Sequence, residues 1–244
     1  MKKKTPLAPL GKMAAACCFA VICWLCLSGV AGAEKRDWAD SEYDFSHVRR
    51  VLLFDLDTGQ MPDSTIDRRQ AEDIFRRFAK DKIGERLIRL EEAAHLLDPQ
   101  IDADVTALLT SDRERAAALI REHAQRVADV WIEGRVDTWE NDSYIREAYT
   151  EWEQKAYTRI LKDSEGKTYE ETYYVTVPVH HPACRVWYSD IHAVFEVRSA
   201  ASGKLLMTRE DDRQRNGKNQ QDSMFERICK SFYHDLAKKI RPDG

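Results

Sequence analysis

Glycine and proline are scarce in this chain, at 10 and 7 of 244 residues. That excludes collagen-like, linker-like and other low-complexity classes, which depend on those residues. Acidic residues are missing from the first 33 positions, which instead carry Lys2, Lys3, Lys4 and Lys12. Of six cysteines, only Cys184 and Cys229 lie beyond Ala33, too few for a disulfide framework or a thiolate cage. The same region has no C-x-x-C or H-x-x-x-H pair, no glycine-rich phosphate loop and no Ser-His-Asp order in a recognisable context. What is present is a globular composition: 43% hydrophobic and 33% charged residues.

From Met13 to Val30 no residue is charged, and the run ends in Ala31-Gly32-Ala33 before Glu34. A basic start, an apolar stretch and small residues one and three positions before the break form a secretory signal peptide, cleaved between Ala33 and Glu34. The alternative is an uncleaved anchor, because the run approaches the roughly 20 residues that span a bilayer. An anchor has no use for the A-x-A ending. Neither Cys23 nor Cys26 follows a small-residue box at the end of the run, so lipidation is not expected. Cleavage removes four of 38 basic residues and none of 42 acidic ones, leaving a formal charge of −8. Such an exported chain, periplasmic or secreted, has no electrostatic case for nucleic acid. After cleavage no segment is expected to remain in the membrane. Two cysteines in an oxidising compartment are a candidate disulfide, Cys184–Cys229, or two buried free thiols.

Residues 34–47 are polar and read as a leader into one globular α+β domain, 48–240, with 241–244 as a tail. Val51, Leu52, Leu53, Phe54 and Leu56 form a strand apolar on both faces, closed by Asp57-Thr58-Gly59. Ala71, Ile74, Phe75 and Phe78 recur at helical spacing and predict a helix from about residue 65 to Ile83. Residues 86–97 read as more helix, or as a short edge strand over 86–91 followed by a helical turn. Ser111, with Glu114 three residues on, reads as the cap of a helix reaching Val127. The period then becomes two, with Val130, Ile132, Gly134 and Val136 on one strand face. Residues 144–161 are compatible with strand or helix. K-D-S-E-G-K and A-S-G-K read as hairpin turns between strands. Met224, Phe225, Ile228, Phe232, Leu236 and Ile240 form the stripe of a last helix, 221–240. The expected fold is a mixed, largely antiparallel sheet of five or six strands with two or three helices on it.

The strand V-L-L-F-D-L-D-T-G (Val51–Gly59), a helix leading into A-D-V-W-I-E-G-R-V (Ala128–Val136), and the hairpin Val194–Met207 before a final helix resemble CsgG-like and TolB amino-terminal-like periplasmic domains. The resemblance covers roughly residues 48–240 and favours an edge strand within 86–91. It implies an adaptor or assembly component, with no catalytic residues to carry over. The chain departs from that pattern in lacking a lipobox and in a longer, more aromatic stretch over 144–179.

Three residue sets could carry chemistry. Asp55 and Asp57 end an apolar strand, as in haloacid-dehalogenase-type phosphatases, where one Asp attacks phosphorus, another is the acid/base, and Mg²⁺ offsets charge. Here Thr58-Gly59 reverses the Gly-Thr order which that motif requires. His180, His181 and Cys184, with His192 further on, offer imidazole and thiolate donors for Zn²⁺ or copper, against the simpler reading of a polar turn. Eleven of the fourteen Trp and Tyr residues after Ala33 fall between Trp131 and Tyr188. They are either cross-strand pairs or an exposed platform, with Trp139, Trp152 and Trp187 as candidates for a protein or glycan surface. The reading that follows is an exported, non-enzymatic envelope module with a protein partner and no cofactor; the phosphatase and a secreted glycan-binding domain are the alternatives. Intact-mass and amino-terminal sequencing of the exported protein should find Glu34 as its first residue; a product retaining Lys2–Lys4 would make the segment an anchor.

Overall fold

The structure is a computed structural model and describes residues 33–62 and 64–241. The expected signal segment lies outside these residues except at its end, where Ala33 and Glu34 already belong to a strand. In chain order come β1 (Ala33–Ala39), β2 (Val51–Asp57), α1 (Thr65–Ile83), β3 (Leu87–Arg89) and α2 (Leu90–Leu97). Then follow α3 (Val105–Ser111), α4 (Arg113–Glu122), β4 (Val130–Arg146), β5 (Tyr149–Lys162) and β6 (Thr168–His181). The chain closes with β7 (Cys184–Ser199), β8 (Leu205–Asn216) and α5 (Gln221–Ile240). Six strands form one sheet in the order β1-β8-β7-β4-β2-β3, and β5 pairs with β6 alone. β2 runs parallel to both β3 and β4, and the other pairs are antiparallel. The α+β class with a mixed sheet is as expected.

The continuous apolar run of β2 has a simple cause. Val51 and Leu53 face a core formed with α1 and α5, while Leu52 and Phe54 face a second core under α2 and α4. Side chains alternate across a strand, so a strand buried on both sides must be apolar throughout. The Ser64 hydroxyl accepts from the Asp67 amide at 3.2 Å and starts α1; Gly84, at φ +65°, ends it. Helix α5 buries the whole expected stripe, and adds Cys229 and Tyr233 to it.

Two expectations need correction, and two open alternatives are settled. Residues 34–39 are not a leader: they are β1, an edge strand paired along its length with β8. Its polar sequence fits that place, since an edge strand exposes most of its side chains. Helices number five among the described residues, not two or three, because 90–97 and 105–111 each form one, and the helix read from Ser111 is shorter than expected. Ser111 ends α3, and the Asp112 carboxylate accepts from the Arg115 amide at 3.0 Å to start α4, which stops at Glu122. Residues 144–161 are strand except at Glu147-Ala148. Cys184 and Cys229 are free thiols. Cys229 is sealed in α5, where burial pushes its thiol pKa well up, whereas Cys184 opens β7 and accepts from the Arg146 guanidinium at 3.4 Å.

Between β4 and β7 the register shifts once, where Asp137 is an extra residue on β4. Before this bulge Val130, Ile132 and Val136 face the core; after it Trp139 does, against Phe225 with ring centroids 5.8 Å apart. A tight spot on this ladder is Gly134, opposite Phe195. A Cβ there would lie 3.0 Å from Leu56, Phe195 and Phe75, of which the last two rings stack at 5.6 Å. Gly134→Ala is expected to lower stability by about 1–3 kcal/mol through overpacking, read as the midpoint shift in urea unfolding; no shift would mean that the three side chains can withdraw freely.

Candidate functional site

The largest feature outside the two cores is an arm. β8 reaches only to Tyr188 of β7, so beyond Ser143↔Trp187 the β4–β7 pair has no third strand. The ladder then runs from Arg146↔Cys184 to Tyr149↔His181, with no residue gained or lost on either side, and continues to Lys162↔Thr168. β5 and β6 are therefore the outer half of the same long hairpin, interrupted only at Glu147-Ala148 and Pro182-Ala183. From Ser143 to Lys162 the two-stranded ribbon spans about 60 Å at 3.2–3.4 Å per residue. Gly166, at φ +82°, closes its tip, where the Asp163 carboxylate accepts from the Glu165 and Lys167 amides at 2.9 Å.

The two faces of the ribbon differ. One carries Glu151, Glu153, Lys155, Arg159 and Glu171 among Tyr149, Tyr157, Tyr169 and Tyr173. The other is uncharged from Thr150 to Ile160 along β5, and presents Trp152, Ile160 and Tyr174, each about two-thirds exposed or more (67%, 70% and 68%). A ribbon of this length with exposed aromatics on both faces is unusual, because two strands alone are marginally stable in water.

Of the expected aromatic platform, only Trp152 belongs to the exposed surface. Trp139 is 5% exposed and part of the core, because the Asp137 bulge reverses the alternation that would have put it outside. Trp187 is half-buried at the root of the arm, with the Lys218 ammonium 3.6 Å from its ring centroid. The three tryptophans thus do not form one row. Tyr157 and Tyr174 belong to the aromatic-rich stretch but were not among its chosen candidates, and Ile160 was not singled out, since nothing in an alternating pattern says whether a strand will gain a covering neighbour.

Asp55 lies within the register irregularity of β2, between Leu53 and Leu56, and is held by two arginines. Arg76 donates to it at 2.6 Å, and Arg113 binds both its oxygens while also reaching Glu91 at 3.0 Å. Arg76 in turn holds Glu72 at 2.7 Å, whose other oxygen accepts from the Leu56 amide at 2.9 Å. Burial works to raise the Asp55 pKa, but the arginines outweigh it and hold the carboxyl below its usual range. Glu72 goes the other way, raised by burial and by the Asp55 charge against the opposing pull of Arg76. Asp57 accepts from the Gly59 amide at 2.8 Å, as a turn residue does. Asp211 and Asp212, the acidic pair a phosphatase reading would require nearby, sit on β8, three strands from β2 in the sheet.

The imidazole and thiol donors do not converge. His180 and His181 point to opposite faces of β6; His180 contacts Thr150, and Cys184 contacts Arg146. His192 sits in the body between Asp137 and Glu210, at 3.1 Å from each. His181 alone belongs to a set with ligand geometry. Its partners are Glu151 and Glu153, with one donor atom from each residue within 4.8 Å of the others. Its Nε2 is 3.7 Å from Glu151 and makes no hydrogen bond. One imidazole and two carboxylates suit a borderline divalent metal such as Zn²⁺. The two glutamates were not read as ligands from sequence because only strand pairing brings them beside His181. A separate cleft of about 560 Å³ between the β4 strand and the start of α5 is lined by Asp67, Glu140, Asp142 and Asp222, with no basic residue among its lining.

No family of known proteins matches the sequence, and no curated protein does. Among solved structures, a point variant of PelC from Paraburkholderia phytofirmans, described as a dodecamer, is similar at TM-score 0.41 and 10% identity. That match covers 84% of this chain and 98% of the other. A second PelC dodecamer structure from the same organism gives 0.38 and 11%, covering 87% and 100%. Similarity this low leaves the functional reading to the geometry.

Asp55→Asn should destabilise the protein by about 1–3 kcal/mol at pH 7, since it strands two partly buried guanidinium groups. The folded-state pKa of Asp55 lies below its unfolded value, so its stabilisation is complete above the ordinary carboxylate range and is lost as pH falls through the lowered value. Unfolding curves of the parent and the variant are therefore expected to converge in acid; a constant gap down to the lowest pH would assign the loss to packing.

Proposed function

We propose that the protein is an exported, non-enzymatic interaction module of the cell envelope, and that it engages its partner through the β5–β6 arm. The observation that carries this reading is the arm itself. It is a ribbon of about 60 Å that leaves Trp152, Ile160 and Tyr174 in water while most aromatics of the body lie in a packed core. Aromatic side chains standing clear of a body in this way are the residue types that dominate binding energy at interfaces. The body supports the arm through the β4–β7 ladder, so a load at the tip is transmitted to the central strands of the sheet.

The state of Asp55 supports a role without catalysis. Both of its oxygens are engaged by arginines, which leaves it poorly placed to attack phosphorus. The scattering of the expected tryptophans speaks against a glycan platform of those three residues. Export rests on the signal-like segment of the sequence. No helix of the described residues is long and apolar enough to cross a membrane.

The test is to shorten the arm. Tyr149 and His181 are directly paired, so Thr150–His180 can be replaced by Asn-Gly, the two-residue turn suited to an antiparallel pair. The shortened chain should unfold at the midpoint of the parent, because no core residue is touched, and should lose its crosslinked adducts in the envelope fraction of living cells. Adducts that persist unchanged would move the interaction surface onto the body.

A further inference from the structure

The two outer edges of the arm are not equivalent. β6 carries Pro178, paired with Trp152. Proline has no N–H, so it cannot donate to an added strand, and within sheets it marks an edge that is kept free. β5 contains neither proline nor glycine from Tyr149 to Lys162, and its outer backbone groups face solvent. An unprotected edge of this length is a template for strand addition. β5 is thus the edge open to pairing.

Its charges specify what pairs there. On one face β5 bears acids in its first half, Glu151 and Glu153, and bases in its second, Lys155 and Arg159. Arg159 is already bound to Glu171 within the ribbon, whereas neither Glu153 nor Lys155 has an ion-pair partner among the described residues. A strand whose charge changes sign along its length is complementary to an antiparallel copy of itself. Centred on Gln154, such a pair sets each Glu153 opposite the other copy's Lys155 and each Trp152 opposite Ala156. Tyr149 then faces Arg159, and no like charges are opposed. A centre at Lys155 would oppose two ammonium groups, and a one-residue slip also exchanges which faces meet.

We infer that the occupant of this edge is a second copy of the chain, joined β5 to β5 about a two-fold axis through Gln154, so that two ribbons make one four-stranded sheet. The inference rests on the arm being the interaction surface and names its partner. It accounts for the arm's survival in water, because four strands clear the threshold at which a sheet stands alone. The contact is isologous, each copy offering the same edge.

The experiment uses the full chain carrying Cys184→Ser. Adding Gln154→Cys should give a disulfide-linked dimer under mild oxidation, while Ala156→Cys, displaced from the axis, should not. By sedimentation equilibrium the parent should be dimeric. Lys155→Glu should weaken the dimer about tenfold by opposing Glu153 with a like charge, and the double reversal Glu153→Lys with Lys155→Glu should restore it. A crosslink at Ala156 instead overturns the register. A dimer indifferent to Lys155→Glu, or a cysteine pair forming only between β5 and Thr176→Cys of β6, overturns the two-fold arrangement. A monomer whose arm still yields envelope adducts overturns self-pairing and leaves the arm as the interaction surface; a monomer whose adducts survive shortening of the arm overturns both.

Discussion

The ladder between β4 and β7 is the interaction on which the rest of the molecule depends. Its inner half is the centre of the sheet, where Gly134 lets Leu56, Phe75 and Phe195 close on one another without an intervening side chain. Its outer half leaves the body and becomes the arm. One residue, Asp137, mediates between the two by adding a bulge that brings Trp139 onto the face covered by α5. Without that reversal Trp139 would stand on the far face and α5 would lose an aromatic contact at its first turns. Bulges commonly re-aim a strand near functional features, and this one lies between the packed core and the projecting ribbon.

Charge is used inside the fold as well as on it. Arg209 of β8 is 1% exposed and binds Asp37 of β1 and Asp235 of α5, the latter at 2.6 Å. That group ties the edge strand to the last helix across the layer, and explains how a polar segment stays in the sheet. Asp55 does similar work on β2 for α1 and α4, through Arg76 and Arg113. Partly buried ion pairs contribute modestly to net stability and are costly to break from one side. The acidic end of β2 is thus a joint between elements.

The body and the arm thus divide the work. Most aromatics in the body meet each other, as in Phe195 against Phe232 at 4.8 Å, although Trp38 of β1 stays 48% exposed. Aromatics on the arm pair across two strands, as in Tyr157 against Tyr173 at 5.9 Å, and keep their outer surfaces open. The same residue types are therefore mostly packed together in one half of the chain and left open to solvent in the other. The distinction is one of neighbours and not of composition.

Much of the body was legible in the residues. The two-sided apolar run of β2 required burial on both faces; Ser64 and Gly84 bracketed α1; the stripe of α5 had one consistent period. These are local properties, set by spacing and by caps, and any packing must respect them. Long-range pairing decided the rest. Nothing in the polar segment 34–39 distinguishes a leader from an edge strand until β8 is beside it, and nothing before Trp139 announces the bulge that buries it. Glu151 and Glu153 meet His181 only through the β5–β6 register. The sequence by itself determined the elements with a strong apolar period, such as β2, α1 and α5, and which of their faces are apolar, because those follow from periods of 2 and 3.6 residues. Only the tertiary structure decided which strands keep an open edge, since exposure depends on how many neighbours a strand acquires, and that is a property of the whole sheet.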